Sequence, residues 1–101
     1  MIARRLFFRP EARRELEDAA AWYEENGPGL GAEFVADVAA LVAALGEFPE
    51  RFPIHRDAIR RAGLRRFPYF VYFAILPEGL EILAVIHPSR NPALVSERLK
   101  A

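Results

Sequence analysis

The sequence predicts an α+β fold: an N-terminal strand, an antiparallel two-helix hairpin, a three-stranded antiparallel meander and a short C-terminal helix. Three observations carry this. Apolar residues recur at three- and four-residue steps through the first half, short β-branched and aromatic runs make up the second, and Pro or Gly breakers fall between segments. At 101 residues, 52% hydrophobic and 28% charged, the chain fits one domain over residues 1–101 and is too apolar to be disordered.

Ile2 to Arg9 reads as the first strand, with Ile2, Leu6 and Phe8 at even spacing and Pro10 ending the run. Pro10 suits the first turn of a helix, and from Glu11 the residues Ala12, Leu16, Ala19 and Tyr23 keep helical spacing to about Asn26, with Ala20 and Trp22 widening the stripe. Asn26-Gly27-Pro28-Gly29 breaks that helix, Gly being available for a left-handed cap. Phe34, Val38, Leu41, Leu45 and Phe48 mark a second, more apolar helix closed by Pro49. So short a link makes the two helices antiparallel.

Glu50 to Ala58 carries Pro53 and reads as an ordered loop. Ile59 to Arg61 and Leu64 to Phe67 are short strands flanking Gly63. Tyr69 to Leu76 is apolar on both parities, as a central strand covered on both faces would be. Pro77-Glu78-Gly79 makes a turn, and Leu80 to His87, which alternates only weakly, is the last strand before Pro88. Ala93 to Leu99 is too short for a helix stable by itself, so it docks or stays mobile.

Charge placement says more than charge total. The net charge is zero, which removes the global positive field of a dedicated nucleic-acid binder. Residues 1–50 nevertheless hold five arginines against ten acids, and residues 51–101 hold nine basic residues against four. All the basic residues but Lys100 are arginine, whose guanidinium pairs bidentately with carboxylate or phosphate. Arg56, Arg60, Arg61, Arg65 and Arg66 fall within eleven positions.

With no cysteine, a disulfide framework and a thiolate metal cluster are excluded. His55 and His87 are the only imidazoles, and no cofactor or metal is expected. Nothing approaches the roughly 18 apolar residues of a membrane span, nor the apolar run of a signal peptide, so the chain reads as a cytoplasmic, bacterial protein with no membrane partner.

Several constellations can be weighed for chemistry. Gly27, Gly29 and Gly31 look like a phosphate loop, but they follow a helix and no Lys-Ser/Thr pair comes next, so an inter-helix turn is the better reading. Ser89 and Ser96 near His87 lack the acid that would orient a triad. Trp22-Tyr23-Glu24, and Phe67, Tyr69, Tyr72 and Phe73, read as packing residues. One arrangement has chemical potential: His87 at a strand end, Arg90 just after it, and Arg60, Arg61, Arg65 and Arg66 on neighbouring strands. An imidazole base with guanidiniums around a phosphorane would suit RNA cleavage through the 2′-hydroxyl.

The residues also resemble a known family over nearly the whole chain. Phe8 with Glu11-Ala12 and Glu15-Leu16, Trp22-Tyr23-Glu24, Leu30-Gly31 with Phe34, Pro49 and Phe52-Pro53 come in order. Ile59-Arg60, Phe67-Pro68-Tyr69, Val71-Tyr72-Phe73, His87, Arg90-Asn91-Pro92 and Arg98 follow. This order resembles the RelE/ParE superfamily of type II toxin–antitoxin toxins, departing from it at Leu94 and Val95, where a tryptophan is often seen. The resemblance implies a β-α-α-β-β-β fold with a largely antiparallel sheet. It also implies a cognate antitoxin that wraps the toxin and links it to operator DNA, the toxin itself not reading that DNA.

The superfamily divides into ribosome-dependent mRNA endonucleases and gyrase poisons. Neutral charge, the Trp-Tyr-Glu helix end and the Phe-Pro-Tyr strand entry resemble the ParE side, where the partner is DNA gyrase and the function is binding. On that reading Arg60, Arg61, Arg65, Arg66 and Tyr72 are the expected partner-binding residues. On the RelE-like alternative the partners are the ribosome and mRNA, and His87, Arg65 and Arg90 are the expected catalytic residues. A non-toxic homologue that only binds an antitoxin is the third reading.

Overall fold

The computed structural model describes residues 5–90 and 92–99, so Ile2 of the predicted strand and Asn91 of the Arg-Asn-Pro motif lie outside the described residues. The elements are β1 (Arg5–Phe8), α1 (Pro10–Asn26), α2 (Leu30–Glu47), a 3₁₀ turn (Pro49–Arg51), β2 (Ile54–Arg56), β3 (Ile59–Gly63), β4 (Phe70–Leu76), β5 (Gly79–Ile86) and α3 (Pro92–Arg98). The strands form one sheet in the order β1-β5-β4-β3-β2. Neighbours are antiparallel except β1 and β5, which run parallel with Leu6 opposite Leu80 and Phe8 opposite Ile82. A parallel pair needs a long crossover, and the chain between β1 and the sheet's other strands includes the α1–α2 hairpin. The predicted α+β class, with its helices ahead of its meander, is the fold the chain adopts.

Two expectations need correcting. Leu64 to Phe67 is not a strand: the backbone turns there, Leu64 N–H donating to Tyr69 O at 3.0 Å and Tyr69 N–H to Phe67 O at 2.8 Å. Leu64 and Phe67 are apolar because they pack on the core from that turn. The predicted loop from Glu50 to Ala58 contains a strand, β2, whose register slips between Ile54 and Arg56. All three β2 residues are exposed, so no apolar alternation marks it in the sequence.

The hairpin turn is held by a side chain. Gly29 is left-handed (φ 88°) and precedes α2, whereas Gly27 is extended (φ 177°), so the left-handed residue sits at the start of the second helix rather than the end of the first. The Glu24 carboxylate accepts from Gly29 N–H at 3.1 Å and from Gly31 N–H at 3.0 Å. It satisfies donors that the first turn of any helix leaves free. A Cβ at Gly31 would lie 2.7 Å from Ala20 O, so this glycine sets how closely the helices approach. The glycine cluster is thus an inter-helix turn whose anion is the protein's own carboxylate.

The sheet has a core on each face. On the helix side Phe34, Val38, Leu45, Val71, Phe73, Leu80 and Ile82 are buried together, and Tyr23, Phe34, Phe67 and Tyr69 stack with centroids 4.6–6.1 Å apart. On the other face Tyr72, Leu83, Ala84, Ile86 and Leu99 form a second cluster with Val95 of α3. β4 serves both, which is why it is apolar on both parities. In β5, Ala84 faces Tyr72 and Ile82 faces Phe73, leaving Leu83 as an extra residue. This bulge switches the parity of β5 midway and accounts for its weak alternation.

Candidate functional site

Beyond Phe8 the chain leaves the sheet, its last bond to β5 being Arg9 N–H to Ile82 O at 3.0 Å. From there the edge of β5 is closed by side chains. Glu15 of α1 accepts from Val85 N–H at 3.0 Å, and Arg98 of α3 reaches Glu15 at 2.7 Å and Leu83 O at 3.5 Å. Burial pushes the Glu15 carboxyl above the usual carboxylate value, outrunning the lowering by the Val85 N–H and by Arg98. The pair ties the seven-residue α3 to the body of the protein, and leaves Arg98 Nε buried without a hydrogen-bond partner among the described residues.

Next to this pair is a pocket of about 220 Å³ between α1, the end of β5 and the start of α3, lined by Glu15, Asp18, Trp22, Tyr69, His87, Arg90 and Leu94 among others. Arg90 N–H lies 3.2 Å from His87 Nδ1 and 3.1 Å from His87 O, which places Nδ1 as an acceptor. The Tyr69 ring stands 5.4 Å from the His87 ring. Burial raises the Tyr69 hydroxyl's pKa, and the nearby Arg90 opposes the rise. Trp22, expected to pack inward, is 44% exposed with the Arg90 guanidinium 4.7 Å above its ring, and only Tyr23 enters the core. Among the described residues neither Ser89 nor Ser96 bonds to His87.

The arginines of the predicted cluster part company. Arg60 donates to Phe52 O at 2.7 Å and Glu50 O at 3.4 Å, bracing the loop ahead of β2. Arg66 pairs with Glu33 at 2.7 Å, and its N–H donates to Asp37 at 2.8 Å. Arg65 is exposed in a groove along α2 with Asp37 and Ala40, not in the pocket of His87 and Arg90. Arg61, opposite Tyr72 in the ladder, lies on the second face with its guanidinium 4.6 Å from the Phe70 centroid. The structure therefore brings His87 to Arg90, and Arg61 to Tyr72, and separates these pairs.

One surface had no clear sequence signal. A groove of about 390 Å³ runs between β1, α1 and α2, lined by Leu6, Phe8, Leu16, Val35, Val38, Ala39, Val42 and Ala43. Leu6 and Val35 are 40% and 42% exposed. The one cue was that α2 has too many apolar positions for a helix covered on one face. Among the described residues no three His, Asp or Glu side chains gather to hold a metal, and no helix is long and apolar enough to cross a membrane.

Comparison with known proteins adds three findings. A family model described as the ParE toxin of the type II toxin–antitoxin system parDE matches residues 6–92. A protein of Sinorhizobium fredii named "Putative toxin Y4kP" is 31% identical over 88 residues, covering 86% of this chain and 91% of its own. A solved structure titled "Chromosomal ParDE TA system from P. aeruginosa" superposes with a TM-score of 0.72 at 21% identity, over 82% of this chain and 94% of that one.

Proposed function

The chain belongs to the ParE toxin family of type II toxin–antitoxin systems, and on that ground we propose that it is a cytoplasmic toxin that halts growth by acting on DNA gyrase and is neutralised by a cognate antitoxin. The observation that carries the reading is the family match across residues 6–92. The separation of Arg65 from the pocket of His87 and Arg90 supports function by binding rather than by catalysis. The antitoxin's seat in this reading is the groove between β1 and the helices, whose apolar walls and edge strand suit an amphipathic helix or an added strand. The match to a ParDE toxin–antitoxin system supports an antitoxin partner. Arg65, free of an ion pair among the described residues, would meet acidic residues of the antitoxin, and Arg61 with Tyr72 forms a second contact face.

The test is direct. Purified protein added in excess to gyrase and plasmid inhibits supercoiling or stabilises cleaved DNA, and its cognate antitoxin reverses the effect. No change in supercoiling or cleavage at saturating protein removes the gyrase assignment. Cleaved mRNA in ribosome-containing extract would instead favour the nuclease reading, whose geometric support is the sharing of one pocket by His87 and Arg90.

A further inference from the structure

The pocket beside the Glu15–Arg98 pair gathers polar groups that the rest of the protein leaves unused. Tyr69, His87, Arg90, Asp18 and Trp22 all line it, within about 220 Å³. Among the described residues the Arg90 guanidinium and the Asp18 carboxylate are in no ion pair, and the Tyr69 hydroxyl is in no hydrogen bond. These groups are nevertheless held in place. The Arg90 guanidinium rests 4.7 Å from the Trp22 ring centroid, a contact that spends none of its N–H donors. Its backbone N–H donates to His87 Nδ1, so Nε2 is the imidazole's remaining polar atom, and the Tyr69 ring stands edge-on to that imidazole at 5.4 Å. Burial keeps the Tyr69 hydroxyl in its phenol form, a donor within the field of Arg90.

We propose that this pocket binds the α-carboxylate of an amino acid, free or at the end of a peptide chain, with Arg90, Tyr69 and His87 on the carboxylate and Asp18 on the adjacent α-nitrogen. Three features select that ligand. Asp18 and Glu15 both line the pocket, so a multiply charged phosphate meets like charge there, whereas an α-carboxylate brings beside it an N–H or ammonium donor that Asp18 accepts. Ala19, Val85, Ile86 and Leu94 supply a wall for an apolar side chain. The volume lies below the roughly 300–1,000 Å³ of a drug-sized ligand's site, and so suits one residue rather than a nucleotide. The site does not depend on which target the toxin has, and it is not the phosphate-cleaving centre of the nuclease reading.

Trp22 is the chain's single tryptophan, so its fluorescence in the full-length protein reads occupancy of this pocket. Leucine and N-acetylleucine are titrated at neutral pH and matched ionic strength, beside leucinamide, acetate and inorganic phosphate. The first two are expected to give saturating changes and the other three none. Tighter binding of leucine marks a free amino acid as the ligand, and tighter binding of N-acetylleucine marks a chain end. Arg90→Gln and Tyr69→Phe weaken leucine binding by about fivefold or more, and Asp18→Asn weakens leucine more than N-acetylleucine. Arg51→Gln, on the 3₁₀ turn, changes neither. Saturation by leucinamide, acetate or phosphate overturns the proposal, as does no saturation by leucine and N-acetylleucine, or an affinity unmoved in Arg90→Gln. Arg90 is exposed, so Arg90→Gln decides the matter even if Tyr69→Phe proves unstable.

Discussion

Arg98 and Glu15 are 83 residues apart in sequence, and their side chains meet at 2.7 Å over the edge of β5, each also bonded to the strand's backbone. Because both are largely shielded, at 16% and 19% exposure, breaking the pair strands a charge away from water and costs more than breaking a surface ion pair. Arg98→Ala leaves the largely shielded Glu15 carboxylate without its cation and frees α3. It should lower stability by about 1.5–3 kcal/mol, read from urea unfolding, and should speed amide exchange at Val85.

The raised pKa of Glu15 gives a signed dependence on pH. A carboxyl that holds its proton more tightly when folded costs stability when ionised, and that cost disappears as pH falls through the folded value. Wild-type stability relative to Glu15→Gln should therefore improve as pH drops from about 7 toward about 5, just above the ordinary carboxylate range. Parallel denaturation curves for the two proteins check this, and a difference that grows in wild type's disfavour on acidification would contradict it.

At the hairpin turn, Glu24→Ala removes the acceptor for Gly29 and Gly31 N–H and should cost about 1 kcal/mol. Gly31→Ala drives a methyl against Ala20 O and should cost about 1–3 kcal/mol by pushing the helices apart. Both are read as shifts in the unfolding midpoint at constant slope.

In the groove, Leu6→Asp and Val35→Asp alter residues that are already 40% and 42% exposed, so the fold should tolerate them. Antitoxin affinity should fall by about 2 kcal/mol or more for each, since these side chains stand at the mouth of the apolar groove. Calorimetry against the purified antitoxin measures it, with an unchanged circular dichroism spectrum as the control.

His87→Ala separates binding from bond-making. Loss of a general base would reduce activity by about 10²–10⁴. Growth inhibition within about tenfold of wild type, below that range, is expected if the toxin works by binding, measured by induction in cells without antitoxin.

Much of the fold was legible because helices and central strands announce themselves by where apolar residues fall. The stripe from Ala12 to Tyr23 and the doubly apolar run of β4 both did so. β2 was not legible, since Ile54, His55 and Arg56 are all exposed and no buried face patterns them. Leu64 and Phe67 misled in the opposite sense, being apolar for packing from a turn. The arginine cluster was visible as a spacing, but spacing cannot say which guanidiniums are already engaged. Arg60 is spent on carbonyls and Arg66 on Glu33, while Arg61 and Arg65 remain available. Nor could it show that Glu15 and Arg98 meet, because that pairing is made only when α1 and α3 converge on one strand.

β1 is four residues long and forms the outer margin of the sheet, with a greasy trough along its flank. Unfilled, that margin is an invitation to any extended chain, including a sibling molecule, and runaway stacking of one copy on another is its natural hazard. Whatever fills it thus acts as an escort as well as a restraint, so overproducing this protein alone should yield precipitate where joint production yields soluble material.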